Sequence, residues 1–471
     1  MATHPFKLII EGVNGTANIL EDYSTASPET PWVDPSSIQL NADANGQGGS
    51  MSFEVVQVKT PAAGPWWRSG GVQDCARVRF QVASTITAPF TSYSTEFLGF
   101  IESIDATLEG SGVGTRASIT ATAASNLADR MLVYRGIVGT GRQATGSYWY
   151  YPKSGKTDQG AITALLSLVN GRSDATTRGI FDTSTGAVFT GAAKAIDSQE
   201  FKPSTLRSAL DQVVEAAQAE DGFARRWWVS NQGVLNYGEV STTTPTYGTA
   251  PFVITLDANA NTAGSPSKIV ARNFSVQMDH SSIAKRLRFV GKDADSQLDG
   301  NTQASPTSPQ TKPYIRQYNL AAPFGPNLTT RTGPMVEKII QTATYIRSNS
   351  GRSTKINNLA NYYFGTNTYP NLSAPVRSVS FEIAGAGTGN NAYGWVYGNR
   401  QLTASTYTPQ NGWAAGQWVK IEADAMGING LFRIESISMS IEPGSHIRRF
   451  SITAERKRKG GLSKILAGEL S

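Results

Sequence analysis

Ser154, Gly155, Lys156 and Thr157 stand just ahead of a helical pattern and imitate the end of a phosphate-binding loop. Such a loop needs another glycine five positions before Gly155, so that backbone N–H groups can wrap the phosphates. Tyr150 holds that position, within the bulky run Tyr148, Trp149, Tyr150, Tyr151. The stretch therefore reads as a loop followed by a helix cap. The histidines His4, His280 and His446 lie far apart, and none has a metal-ligand spacing. Cys75 is the only cysteine, which excludes an intrachain disulfide and a thiolate cluster. There is no nucleophile elbow of the G-x-S-x-G type. The acidic pairs Asp293 with Asp295 and Glu220 with Asp221 could be drawn as a glycosidase dyad. Acids this scattered read instead as solvated surface. The expectation is a chain with no catalytic residue, cofactor or metal.

Two other residue patterns point to contact rather than chemistry. Aromatic pairs occur at Trp66–Trp67, Tyr148–Tyr151, Trp227–Trp228 and Tyr362–Phe364. Neighbours on a strand face opposite sides, so one ring can enter the core while the next meets a subunit. Stacking on a sugar or base is the sharper alternative. The second pattern is the basic run Arg456, Lys457, Arg458 and Lys459, followed by Leu462, Ile465, Leu466 and Leu470 at near-helical spacing. Four successive charges repel one another and resist packing in a core. The apolar segment is too short to hold a helix alone. Arg456, Lys457, Arg458, Lys459, Leu462, Ile465 and Leu466 are thus the candidate partner-binding residues, in a tail that docks on another protein.

The elements that must position these residues follow from composition and periodicity. A length of 471 residues suggests roughly three or four units. Only 17% of residues are charged, and Gly, Ser, Thr, Asn and Ala take their place. That suits turn-rich β structure with extensive subunit contact. The net charge of +6 is mild and is partly the basic run, which excludes a dedicated nucleic-acid binder. One cysteine fits folding in a reducing cytoplasm. The start has a short apolar run closed by Glu11, neither signal peptide nor span, and no run of ~18 apolar residues occurs. No membrane insertion is expected.

Strands are predicted at Phe6–Ile10, Ser37–Ala42, Met51–Val58, Ala76–Ala83, Glu96–Leu108 and Thr115–Thr122, the last two as a hairpin. A short helix is predicted at Ser125–Leu132, capped by Ser125. Ile162, Leu165, Leu166 and Val169 give one helix face. Leu206, Leu210, Val213, Val214 and Ala217 give a second, with Ser204 as N-cap and Gly222 as stop. A hairpin follows over Arg226–Ser230 and Val234–Val240. Strands return at Ile269–Met278 and Ala284–Val290, and Asp293–Pro313 reads as a long loop. A third helix is predicted at Pro334–Arg347. Phe381–Ile383 and Trp395–Tyr397 read as short strands, and Trp418–Ala423, Leu431–Ile441 and Ile447–Ala454 as a final β section. No fixed-period repeat is visible.

Three stretches resemble the tail hub, or baseplate hub, proteins of bacteriophages, including tail-associated lysin-type structural domains. Phe97–Asp105 and Ile119–Arg130 are similar to a strand, hairpin, strand and helix of that family. Thr205–Tyr237 resembles its helix followed by a W-x-V-x-x-x-G-x-L-x-Y hairpin. Gly416–Arg456 resembles its closing strands. The resemblance implies a mainly β fold with an α+β insert, in which two tail-tube-like β-barrel units flank a small α+β domain and assemble as a ring. The implied layout is a first barrel-like domain at 1–145, an α+β domain at 146–260, and a second barrel-like domain from 261–292 and 414–456. An insertion of loops and a helix at 293–413 and a basic docking tail at 457–471 complete it. The implied function is a homotrimeric, non-enzymatic adaptor at the virion tail tip, assembled in the host cytoplasm. Its implied partners are itself, a distal tail or tail tube protein, the C-terminus of a tape measure protein, and further tip or fibre proteins. The chain stops soon after its last strand, so no lytic domain is implied. A receptor- or glycan-binding tip protein and a tail-associated cell-wall hydrolase are the alternatives.

Overall fold

The computed structural model describes residues 6–11, 17–20, 28–43, 49–60, 62–69, 72, 76–83, 93–109, 114–133, 149–150, 157–170, 187–197, 199–201, 204–223, 225–229, 233–239, 253–257, 268–279, 286–290, 315–319, 337–341, 354–355, 357–359, 376–384, 400–403, 406–409, 415, 418–441 and 448–455. The first strands are β1 (Phe6–Glu11), β2 (Ala17–Leu20), β3 (Trp32–Asp43), β4 (Gly49–Gln57), β5 (Arg77–Ala83), β6 (Tyr93–Glu109) and β7 (Gly114–Ala123). A short helix, α1 (Trp66–Ser69), lies between β4 and β5. The middle contains α2 (Asp158–Asn170), β8 (Val188–Thr190), α3 (Leu206–Asp221), β9 (Arg225–Val229) and β10 (Leu235–Glu239). Then come β11 (Val253–Thr255), β12 (Lys268–Val270), β13 (Arg272–Asp279), β14 (Arg286–Val290), β15 (Ile315–Asn319) and β16 (Glu337–Gln341). The last are β17 (Val376–Ala384), β18 (Trp418–Ala423), β19 (Ile428–Ile441) and β20 (Arg448–Glu455).

The chain is mostly β, and most of its strand pairs are antiparallel. Fourteen strands form one hydrogen-bonded sheet in the order β12, β11, β18, β19, β3, β4, β7, β6, β5, β1, β2, with β20, β17 and β13 branching from β19. Most of the strands expected in two barrel-like units lie in this one sheet. Strands from both ends of the chain share one sheet, and among the described residues no sheet closes into a barrel. The physical reason is the second edge of β3. One edge pairs with β4, and the other would leave N–H and C=O groups bare. β19 covers it, pairing Ser436 with Asp43 through Ser440 with Gln39. One hydrophobic core follows the sheet, joining Leu8, Phe53, Val78 and Ile119 to Phe381, Ile434 and Ile452. Burying each such side chain contributes ~1.5–3 kcal/mol.

Strand alternation sets the inward faces. Val78 and Phe80 are fully buried, while Arg77 and Arg79 both reach Glu11, at 2.7 and 3.0 Å. β6 is long because its two edges pair over different stretches. It pairs with β5 through Phe100 and with β7 from Gly99 onward. At the crossover a Cβ on Gly99 would stand 2.1 Å from the Thr122 carbonyl oxygen, so only glycine fits.

The middle section has its own core of Ile162, Leu165, Leu210, Val213, Trp227 and Tyr237, the helix faces and hairpin read from the sequence. The caps shift by one residue. Thr205, not Ser204, accepts the Ser208 N–H at the start of α3, and both residues pair with the strand at Leu132 and Val133. Gly222 ends α3 in the left-handed conformation, as expected. The predicted helix at Ser125–Leu132 is a 3-10 turn at Ala124–Asp129, with Ser125 buried inside it rather than capping it.

The predicted helix at Pro334–Arg347 is overturned. Residues 337–341 form β16, which pairs in parallel with β14, itself antiparallel to β15. Ile339 and Ile340 have helical spacing with their neighbours, yet β-branched side chains suit a strand and the β14 edge was available. Asp293–Pro313 and Trp395–Tyr397 lie outside the described residues.

Candidate assembly surface

The sheet contains the same five-strand pattern twice. Ser50, Ser52, Phe53 and Glu54 in β4 match Ser378, Ser380, Phe381 and Glu382 in β17. Ile101, Glu102, Ser103 and Ile104 in β6 match Ile434, Glu435, Ser436 and Ile437 in β19. Ser118, Ile119, Thr120 and Ala121 in β7 match Ser451, Ile452, Thr453 and Ala454 in β20. The registers match as well. Phe53 pairs with Ile119 and Ile119 with Ile104. Phe381 pairs with Ile452 and Ile452 with Ile437. β5 on β6 and β18 on β19 keep the same offset, Val78 to Gly99 and Val419 to Phe432. So do β3 on β4 and β13 on β17, Leu40 to Met51 and Val276 to Val379. Register fixes which face every side chain takes, so agreement across five strands marks one structural unit present twice. The sequence analysis expected two similar units from the resemblance, but missed the residue-by-residue match and the place of β17 in the second. Its signal was three short matches in the same order, separated by insertions of unequal length, which give no fixed period.

The two units meet where β19 lies against β3. The Ser438 hydroxyl donates to Asn41 Oδ1 at 2.5 Å. Ile437 and Met439 are buried there, opposite Ala42 and Leu40. A cleft of about 400 Å³ opens beside this seam, lined by Asn41, Asp43, Asn126 and Ser436 among others. Asn126 lines it and donates to the Thr122 hydroxyl at 2.5 Å.

The middle section holds the densest charge cluster among the described residues. Asp158 opens α2 and is 1% exposed. It accepts the N–H groups of Gln159 and Lys194, each at 2.8 Å, and the Tyr237 hydroxyl at 2.7 Å. Arg225 Nε lies 3.7 Å away. The Arg225 guanidinium grips Asp221 with two bonds of 2.7 and 2.8 Å and donates to the Ala217 carbonyl. Burial, then the Asp158 carboxylate, push the Tyr237 phenol far above its ordinary range. At Asp221 burial acts to raise the carboxyl, but bonds from Arg225 and the Phe223 N–H and the nearby cations prevail and hold it below its usual value. Glu220 is raised by burial, against the opposing effect of Lys355. Lys355 bridges Glu220 at 2.6 Å and Asp197 at 2.7 Å. A tyrosine, a carboxylate and an arginine can do acid–base chemistry. Here Asp158 and Tyr237 are sealed from solvent and already partnered, so the cluster ties α2, α3 and the β9–β10 hairpin together. Glu220 and Asp221, drawn as an acidic dyad from the sequence, are each held by a cation.

Trp66 enters the core from helix α1 rather than from a strand, and Trp67 packs on it edge to face at 5.8 Å. Trp227 is buried and bonds Asp211, while the Trp228 ring carries the Arg226 guanidinium at 4.7 Å. Thr157 caps α2, accepting the Gly160 N–H. Lys156, Asp293, Asp295, the three histidines, Cys75, Tyr362–Phe364 and the whole candidate tail, Arg456, Lys457, Arg458, Lys459, Leu462, Ile465 and Leu466, lie outside the described residues. Among the described residues no group of His, Cys, Asp and Glu could hold a metal, and no helix is long and apolar enough to cross a membrane.

No protein-family model matches the sequence, and none of the curated proteins does. Solved structures do. A tail protein from Neisseria meningitidis is similar with a TM-score of 0.50 at 10% identity, covering 96% of this chain and 97% of that one. A 43 kDa prophage tail protein from Shewanella oneidensis is similar with a TM-score of 0.50 at 10% identity, covering 95% of this chain and 98% of that one. This chain shares the fold of these two tail proteins over nearly its whole length.

Proposed function

We propose that the chain is a structural protein of a phage tail, and within the tail the hub of its tip. The observation that carries this reading is the five-strand unit present twice with the same central register. Two units per chain let three chains present six similar units, which is what a ring must do to sit under a hexameric tube. The fold shared with two tail proteins supports the tail role. The buried, fully partnered charge cluster fits a scaffold better than a catalyst. In this reading the hub is a homotrimeric adaptor between the tube or distal tail ring and the tip, with the end of a tape measure protein as a further contact. The tail after Glu455 docks on a neighbouring subunit or tip protein through Arg456, Lys457, Arg458, Lys459, Leu462, Ile465 and Leu466. Truncation after Glu455 should leave folding intact and abolish incorporation into tails, whereas normal incorporation would refute docking. The deciding experiment for the hub is solution mass across a range of concentrations. A species three times the 50.4 kDa chain is expected. A monomer throughout would overturn the hub reading.

A further inference from the structure

We infer that the β6 edge of one chain, Ser103–Thr107, pairs antiparallel with the β13 edge of a second copy, Ser275–Asp279. This repeats between chains the joint that β19 and β3 make within one. The inference rests on the ring reading above and supplies its contact.

The duplication defines both edges. β19 pairs with β18 on the edge opposite β20, and beyond β18 that same edge takes β3 at Ser436–Ser440. β6 has the matching arrangement. β5 lies on the edge opposite β7 and ends with Arg77 against Phe100. The residues of β6 that match Ser436–Ser440 are Ser103–Thr107. Among the described residues no strand pairs with them on that edge. The counterpart of β3 is β13. Leu40 and Asn41 face Met51 and Ser50 as Val276 and Gln277 face Val379 and Ser378. β3 has β19 on its second edge, whereas β13 pairs with β17 alone among the described residues.

Burial differs as an unfilled joint requires. Ile437 is 1% exposed and Leu40 is fully buried at the internal seam. Their counterparts Ile104 and Val276 are only half-buried, and Ser103 and Thr107 are exposed where Ser436 and Ser440 are half-buried. An open edge presents bare N–H and C=O groups in a row, a template for another strand. Each chain has one edge of each kind, so the contact is head to tail and repeats until it closes.

The internal register transfers directly. Ser436 opposite Asp43 becomes Ser103 opposite Asp279, and Ser438 opposite Asn41 becomes Asp105 opposite Gln277. Ala106 then stands opposite Val276 and Thr107 opposite Ser275. Facing Cα atoms in such a ladder are ~4.5–5.5 Å apart, within disulfide range.

The test is paired cysteines in the full chain, oxidised and separated without reductant. Wild type, with Cys75, sets the background. Asn41→Cys with Ser438→Cys reports the internal seam and should lose its free thiols while remaining one chain in mass. Asp105→Cys with Gln277→Cys, and separately Ala106→Cys with Val276→Cys, sample the two kinds of facing pair. At least one should form linked dimers and trimers. Asp105→Cys with Val276→Cys is one residue out of register and should link no more than wild type. A chain that is trimeric by mass but links in neither in-register pair overturns this contact and leaves the ring reading standing. A chain monomeric at every concentration overturns both.

Discussion

Glu102 and Glu435 lie in different hairpins, yet each is the one extra residue of the same β-bulge. The register steps from Ile101 to Ser103 in β6 and from Ile434 to Ser436 in β19, leaving the glutamate between them without an opposite residue. A bulge bends its strand and sharpens the twist, and in β19 it falls where the strand leaves β18 and takes up β3. Deleting Glu435 closes the bulge into an ordinary alternating ladder, in which Ile437, Met439 and Ile441 keep their partners and the core face but β19 loses its bend between β18 and β3. The deletion should therefore still unfold cooperatively, but at a clearly lower Tm. A Glu435→Ala chain keeps the bulge and should melt closer to wild type. A deletion variant with a near-native melting curve would refute this role.

The Asp158 network should behave as a structural tie. Tyr237→Phe removes one donor and leaves Asp158 with two backbone N–H groups and Arg225. It should cost ~1–2 kcal/mol in urea unfolding. Asp158→Ala removes a carboxylate that a buried phenol, two N–H groups and an arginine address, and should cost ~3–5 kcal/mol. A smaller loss for Asp158→Ala than for Tyr237→Phe would show that Asp158 is not the centre.

Glu220 and Asp221 are neighbours with opposite pH signatures. Asp221 is held below its ordinary 3.8 in the folded chain. Its stabilisation is therefore present above 3.8 and is lost as pH falls through the folded value. Glu220 is raised above 4.5, so its contribution is present below 4.5 and is lost as pH rises through the folded value. The penalty of Asp221→Asn should be largest at neutral pH and shrink in acid. The penalty of Glu220→Gln should be largest in acid and shrink towards neutrality. Urea unfolding from pH 3 to 7 distinguishes the two, and parallel profiles would overturn the assignment.

Ile437 and Ile104 occupy matching positions but differ in burial. Ile437→Ala should cost the folded monomer ~2–5 kcal/mol, as for a filled core site. Ile104→Ala should cost the chain's own unfolding less than half of that and instead weaken self-association. Unfolding and sedimentation on both variants separate the effects. Equal unfolding costs with unchanged association would contradict an unfilled joint at β6.

Local pattern carried the sequence reading where it succeeded. The alternation of Val78 and Phe80 with Arg77 and Arg79, the stripe from Ile162 to Val169, and the Gly222 stop are each set by residues within a turn or two. The β6–β7 hairpin and the β18, β19 and β20 strands were legible for the same reason. Pairing partners were not legible, because any apolar-alternating strand can lie beside any other. That β19 closes on β3 rather than on a barrel of its own depends on two edges meeting across most of the chain. Residues 337–341 became a strand because the β14 edge was there to receive them, which outweighed a helical spacing. Asp158, Arg225 and Tyr237 meet only after α2, α3 and the hairpin pack. The duplication lay in the sequence as three short matches, but only matched registers in the folded sheet made it a repeat.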